Sequence, residues 1–518
     1  MKRIIYFIAT LTLPLAFPAC TDWLDASSDT QIKGDDLFES EEGFQDALTG
    51  IYLNMASESL YGKNLTWYFT EIMVQPYLDR GNTQDAYKIM DLDGYKNVLS
   101  EFYIKSIWNN AYTTIANINN ALKMIDEKGD VLSDRTRSIY EGELLALRAY
   151  IHLDLMRLFG YGHYNDRADF ENRLTIPYVT VYSKDLTPQR TYAETMKLVV
   201  ADLEKAVSCL ENDPLVKPFS ATEETSLNEK GYWNNRKLHL NYYAAKALLA
   251  RAYMWDGSTE SIAQAVAIAT ELTKEGSKVY SWTTYKSTDT DVDLTFTSEH
   301  LFTLNVYNFK DSINDFLTDL TYNNAGYTLV IPWSFVAYDI FNAYSYDYDQ
   351  YEYVPGYVGY DDIRFEAHFK ETSLSGEKYM YSNKLYQTNG YSKIDYRNLI
   401  PMIKITEMYY ILAENYLNQN KDNEALDVIN HIREKRELQT PLTRTMIEEE
   451  WYQTVSTELL KEYMREFISE GQLVYYLKRK GLTSYSEAGL NVSDRTFSDE
   501  TYVLPLPTDE ITIGNRVQ

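Results

Sequence analysis

Residues 139–160 read IYEGELLALRAYIHLDLMRLFG. Leu144, Leu147, Ile151, Leu155 and Leu158 recur at steps of three and four, the period that aligns side chains along one face of an α-helix. Glu143, Asp154 and Arg157 fall on other faces, and Gly160 supplies the stop. Outward from this stretch the same periodicity predicts helices over 41–56, 104–127, 191–210, 239–255, 260–275, 403–418, 422–436 and 446–479, with their charged residues read as solvated faces. Three runs share a local pattern: Leu145-Ala146 before Ala149-Tyr150, Leu249-Ala250 before Tyr253, and Leu412-Ala413 before Tyr416, the last continuing to Ala425. Small residues let paired helices approach while a ring fills the gap beside them, the spacing of a tetratricopeptide pair. The expected fold is therefore mainly α, a tetratricopeptide-like α/α superhelix of helix pairs.

Residues 277–400 break the pattern. They are rich in Tyr, Asp, Asn, Thr and Gly, with short alternating stretches such as Leu301 to Val306, and predict loops, short strands and few helices. Residues 77–103 share this character less strongly. Irregular segments carried by a rigid scaffold are where binding concentrates, so both are expected to face a ligand. The ring-bearing candidates are Tyr77, Tyr87 and Tyr95 in the first segment and Trp282, Tyr307, Tyr322 and Tyr327 in the second. The densest aromatic run is Tyr338 to Tyr360, where Tyr344, Tyr346, Tyr348, Tyr351, Tyr353, Tyr357 and Tyr360 alternate in part with Asp and Glu. Two readings stand for it: a half-buried hairpin or protein contact, or a platform whose rings stack on sugar C–H faces while acids accept hydroxyl hydrogen bonds.

At the N-terminus Lys2 and Arg3 precede a largely apolar run, Ile4 to Phe17, ending in Pro18-Ala19-Cys20. This is the layout of a secretory signal peptide over 1–19. It is shorter than the roughly 20 residues of a spanning helix and is interrupted by Pro14. Phe17 argues against cleavage at a small-x-small site, and Ala19 before Cys20 fits cleavage ahead of a lipidated cysteine. The acidic, apolar-poor residues 20–36 then read as a solvated tether to the membrane. Cys209 is the other of the 2 cysteines, so a lipidated Cys20 leaves no internal disulfide.

A formal net charge of -27 excludes nucleic acid as a partner, because phosphate backbones require a basic footprint. The 47 tyrosines make aromatic surface the outstanding resource of the chain. Gly-x-Ser-x-Gly, Walker and His-Glu-x-x-His motifs are lacking, and the 6 histidines have no ligand-like spacing. No catalytic residue, cofactor or metal site is predicted. Asp289, Asp291 and Asp293 alternate as in a calcium loop, but Leu294 stands where the glycine belongs and His300 where the bidentate glutamate belongs. Among 76 acidic residues no carboxylate pair is marked for glycoside cleavage.

Several ordered segments resemble the SusD/RagB family of Bacteroidetes outer-membrane lipoproteins. They are CTDWLD from Cys20, WNNAYTTIANINN from Trp108, ALRAYIHLDLMRLFG from Ala146 and TYAETMKLVVADLEKA from Thr191, followed by Ala245 to Trp255. Asp361-Asp362-Ile363-Arg364-Phe365 is similar to the family's Asp-x-Arg element. Glu407 to Arg433, EYMREFISEGQLVYYLKRKG from Glu462 and YVLPLP from Tyr502 complete the order. The resemblance implies a SusD-like N-terminal region over 37–215 and a SusD/RagB region over 216–518 with an irregular ligand-facing insert at 277–400. It also implies an outer-membrane location facing the exterior, a SusC-like TonB-dependent transporter as partner, and glycan binding without catalysis. Peptide capture, as in RagB-like members, is the alternative, and a surface glycoside hydrolase is the enzyme-class rival.

Overall fold

A computed structural model describes residues 36–74, 77, 95–168, 170–274, 279–285, 292–317, 329–347, 352–356, 358–374, 376–387, 396–451, 453–487, 489–490 and 496–518. Cys20, Tyr87, Tyr322, Tyr327, Asp289 and Asp291 lie outside the described residues.

The periodic stretches are helices, and polar side chains at their starts explain where they begin. Helix α1 spans Glu41–Met55, α2 Val98–Lys128, α3 Asp134–Phe159 and α4 Tyr192–Leu210. Ser40, Asn97 and Ser133 each accept a backbone N–H of the first turn, and Thr191 and Glu194 form a reciprocal capping box. Then come α5 (Tyr242–Asp256), α6 (Thr259–Leu272), α7 (Ile363–His368), α8 (Ile405–Asn418), α9 (Asp422–Lys435), α10 (Val455–Glu466) and α11 (Leu473–Lys480). Each long helix packs on the next in succession: α2 on α3, α3 on α4, α4 on α5, α5 on α6, α6 on α8, α8 on α9. Stacked pairs of this kind are the expected helical array. Close approach is visible at Gly142 of α3, where a Cβ would lie 2.7 Å from Leu210 Cγ and 3.1 Å from the Ala206 carbonyl oxygen of α4.

Charge is where the helices depart from expectation. Every residue of α3 from Gly142 to Phe159 is buried, charged ones included. Glu143 accepts from Tyr52 at 2.7 Å, Arg148 donates to Asp202 at 2.7 and 2.8 Å, and Asp154 accepts from Tyr61 at 2.8 Å and pairs with Arg157. These groups are satisfied inside the protein and do not form a solvated face, since a buried charge is tolerated only when paired and hydrogen-bonded. The run 446–479 is also not one helix. After α10 the chain passes through Ser469 and Gly471, both at positive φ (61° and 68°), before α11 begins. Cys209 is a buried free thiol.

Among the described residues are four small antiparallel sheets, one within residues 174–191 and three built by the irregular part. Strands β1 (Leu174–Pro177) and β2 (Gln189–Thr191) form one, and β3 (His300–Asn305) pairs with β9 (Leu399–Lys404). Strands β4 (Val330–Pro332), β8 (Glu377–Ser382) and β7 (Phe369–Leu374) lie in that order, and β5 (Tyr344–Asp347) pairs with β6 (Glu352–Pro355). One hydrophobic core runs from Phe38 to Leu506 through both parts. Among the described residues no helix is long and apolar enough to cross a membrane.

Candidate functional site: an aromatic cleft with an acidic rim

A cleft of about 890 Å³ opens where the two short sheets meet α7. Trp333 enters it just after β4, Tyr344 from the start of β5, Tyr360 and Asp361 from the turn before α7, Phe365 and Glu366 from α7 itself, and Lys370 and Glu371 from β7. Trp333 and Tyr344 have ring centroids 5.0 Å apart, Tyr344 and Tyr360 5.5 Å apart at 81°, and Tyr344 and Phe365 6.4 Å apart. Tyr360 is 44% exposed and Tyr344 half-buried, whereas Trp333, 8% exposed, shows little of its ring. Burial and the neighbouring Tyr360 hydroxyl push the Tyr344 hydroxyl up. The Tyr285 hydroxyl is pushed to about 12 by burial and then by the charge of Glu366. Both phenols are therefore neutral at physiological pH and offer O–H donors.

The turn that carries Tyr360 is held by charges beneath it. Asp362 caps α7, accepting the Arg364 N–H at 2.9 Å, and its carboxylate receives the Arg364 guanidinium at 2.8 and 3.0 Å. Arg364, fully buried, also reaches Glu462 at 2.8 Å and Glu466 at 3.1 Å on α10. Arg433 donates to the Val358 carbonyl at 2.8 Å, and the Ile363 N–H donates to the Arg436 carbonyl at 3.2 Å. Burial pushes the Glu462 carboxyl up, but the Arg364 and Arg465 guanidiniums outweigh it and hold the group at about 2. Glycine is required at 359, where a Cβ would lie 1.7 Å from the Phe341 carbonyl oxygen.

Of the seven ring candidates, the four that lie among the described residues, Tyr77, Tyr95, Trp282 and Tyr307, do not line this cleft. Tyr77 is 6% exposed with its hydroxyl donating to Glu71 at 3.3 Å, and Tyr95 is fully buried, donating to the Thr501 carbonyl at 2.6 Å. Both are core rings, because their hydroxyls find partners inside the protein. Trp282 packs against Tyr280, Tyr409 and His431, with Arg436 over its ring, and is likewise a packing residue. Tyr307 is 80% exposed but does not line the cleft. Asp293 is spent on a turn, accepting the Thr297 N–H and hydroxyl at 2.7 Å. The Tyr338–Tyr360 run does contribute. Its β5–β6 hairpin is real, and Tyr344 and Tyr360 line the cleft. Trp333 and Tyr285 were missed, because the aromatic neighbours each has in sequence, Phe335 for one and Tyr280 and Trp282 for the other, do not distinguish a cleft-lining ring from a packed one.

An open cleft with neutral aromatic faces and carboxylate acceptors, set on an array of helix pairs, has the shape and the polar groups to take an extended polar ligand. The chain belongs to the SusD family, which it matches over residues 220–513. Residues 22–254 match a second family of the same kind, described as starch-binding and associating with the outer membrane. No curated protein matches the chain in sequence. Among solved structures, a SusD superfamily protein from Bacteroides thetaiotaomicron shares 22% identity, with 92% of this chain and 99% of that one covered and a TM-score of 0.65. Surface glycan-binding protein A from Bacteroides uniformis shares 18%, covering 92% and 99%, at a TM-score of 0.61. Surface glycan-binding protein A from Bacteroides thetaiotaomicron in complex with laminarihexaose shares 16%, with the same coverage, at 0.60. At these identities the likeness establishes the fold.

Proposed function

We propose that the protein captures glycan chains at the bacterial surface in the Trp333–Tyr344–Tyr360 cleft, and delivers them to a SusC-like TonB-dependent transporter. The observation that carries the reading is the cleft itself. Ring faces can stack on pyranose C–H surfaces, and exposed carboxylates can accept sugar hydroxyls. Membership of the SusD family and the laminarihexaose bound by a similar fold support it. An acylated Cys20 would hold the protein at the outer membrane through the tether 20–36. Native gels containing laminarin, starch, galactomannan, xylan or pectin provide the test. Retarded migration by one of them, lost in Tyr360→Ala and unaccompanied by released sugar, is the expected result. Release of sugar would make the protein a hydrolase, and retardation by none of them while peptides bind would favour the RagB-like alternative.

Delivery to a transporter draws on a second observation. Val98 and Phe102 on α2, Leu174, Val181, Tyr182 and Leu186 around β1 and β2, and Ile511, Ile513 and Val517 near the C-terminus are exposed large apolar side chains. The three segments touch: Lys105 pairs with Asp509 at 2.5 Å, Arg516 donates to the Thr187 carbonyl at 2.5 Å, and the Val517 N–H donates to Gln189 at 2.7 Å. Apolar surface of that extent suits a large protein partner, and it shares no residue with the cleft. Pull-down from native membranes is expected to recover a large barrel protein with the wild type and much less with Phe102→Asp/Ile513→Asp.

A further inference from the structure

We infer that the cleft is also a charge filter, admitting glycan segments that are uncharged or amino-bearing and turning away those with carboxylates or sulfates. The inference rests on the glycan reading of the cleft and adds the ligand class. Four acidic side chains on its wall are exposed: Asp361, Glu366, Glu371 and Glu437. Glu371 is compensated by Lys378 at 2.9 Å, and the buried Asp362 by Arg364. Asp361, Glu366 and Glu437 make no ion pair among the described residues. Against these three stands, among the described lining residues, one cation, Lys370, whose ammonium donates to the Glu366 backbone carbonyl at 3.2 Å and so stays with the backbone. Three free carboxylates against one ammonium leave an excess of two negative charges among the described lining residues.

The setting strengthens that field. Low-dielectric walls of Trp333, Phe365, Phe369 and Met380 focus it, and the net charge of -27 adds to it from outside. Glu366 and Tyr285 both line the cleft, and the Glu366 charge adds to burial in raising the Tyr285 hydroxyl. A sugar carboxylate stacked on Tyr360 would meet this repulsion at contact range, whereas a sugar ammonium would be attracted to the same acids and to the ring face. Hydroxyl-only sugars carry no charge and meet neither the repulsion nor the attraction.

Laminarin, soluble starch and a galactomannan are the probes, each compared with derivatives in which part of the primary alcohols are oxidised to carboxylates or replaced by amines. Titration at about 20 mM salt is expected to show any neutral chain that binds outcompeting its carboxylated form about tenfold, with the aminated form at least equal to the neutral one. In 1 M salt, where the screening length is about 3 Å, the ratio should fall below about twofold. In Asp361→Asn/Glu366→Gln/Glu437→Gln it should fall to about one even at low salt. Equal binding of neutral and carboxylated chains by the wild type at low salt overturns the filter and leaves glycan capture standing. A ratio that survives the triple substitution also overturns it, since other charges would then be responsible. Binding of none of the chains, in any form, removes the glycan reading and the filter together.

Discussion

Glu466 sits at the centre of the buried charge network, and neutralising it should destabilise the protein more than any surface charge change. Its carboxylate is fully buried and contacts Arg364 and Arg436 at 3.1 Å each, along with Lys404. Burial pushes the group up, and Arg436, Lys404 and Arg364 together hold it well below the usual carboxylate range. Glu466→Gln keeps the shape but leaves three buried cations short of one counter-charge. Removing one partner from a buried ionic cluster costs about 3–5 kcal/mol. For 518 residues, at about 2.1 cal/mol/K per residue, the unfolding entropy is about 1.1 kcal/mol/K. The melting temperature should therefore fall by about 3–5 °C in scanning calorimetry. Lys378→Gln, which removes a solvent-exposed pair with Glu371, is the control and should move it by less than about 1 °C. Since Arg364 ties Glu466 to the Asp362 cap, glycan affinity should drop with it. A Glu466→Gln protein melting within 1 °C of wild type, or a control shifted as far, would refute the reasoning.

Acid should act with a definite sign. Glu143, Glu414 and Glu462 are each held at about 2, below their unfolded values, so the stability they contribute is complete above about pH 4.5 and lost as the pH falls toward 2. Glu71 runs opposite: burial raises it to about 7, so its contribution is complete below about pH 4.5 and is lost as the pH rises through 7. Urea midpoints measured from pH 8 to 3 should hold or rise slightly to about pH 5 and then fall steeply; a continuous rise to pH 3 would contradict the burial of the three acids. Gly359→Ala forces a Cβ onto the Phe341 carbonyl and should weaken glycan binding about tenfold or more through displacement of Tyr360, whereas Gly50→Ala on α1, which meets nothing within 4 Å, should leave binding within twofold. Cys20→Ala should shift the protein from the membrane to the soluble fraction or leave it unprocessed, and wild-type membrane recovery would remove the proposed anchor.

The helices were readable because their information is local: spacing of apolar residues, a capping side chain at the start, a glycine at the end. Glu143 and Asp154 were misread for the same reason, since their partners Tyr52 and Tyr61 lie 91 and 93 positions away. The break after Glu466 was equally hidden, because it depends on left-handed backbone at Ser469 and Gly471 that periodicity does not register. In the site, Tyr95 and Tyr360 look alike in sequence, each a tyrosine beside acidic or glycine-rich chain. What separates them is that the Tyr95 hydroxyl meets the Thr501 carbonyl 406 positions away, whereas Tyr360 is lifted into solvent on a turn bolted to α10. Composition could point to tyrosine as the ligand-facing residue type, but only tertiary contacts decide which tyrosines remain available.

Calorimetric titration of the glycan identified by the gel screen against wild type, Tyr344→Ala/Tyr360→Ala and Tyr307→Ala tests the cleft most directly. A ring lost from a stacking contact removes about 0.5–1.5 kcal/mol, so the double substitution should weaken binding about five- to hundredfold or more. Tyr307→Ala, at an exposed ring outside the cleft, should stay within twofold. Unchanged affinity in a folded Tyr344→Ala/Tyr360→Ala protein would contradict the assignment of the cleft as the glycan site.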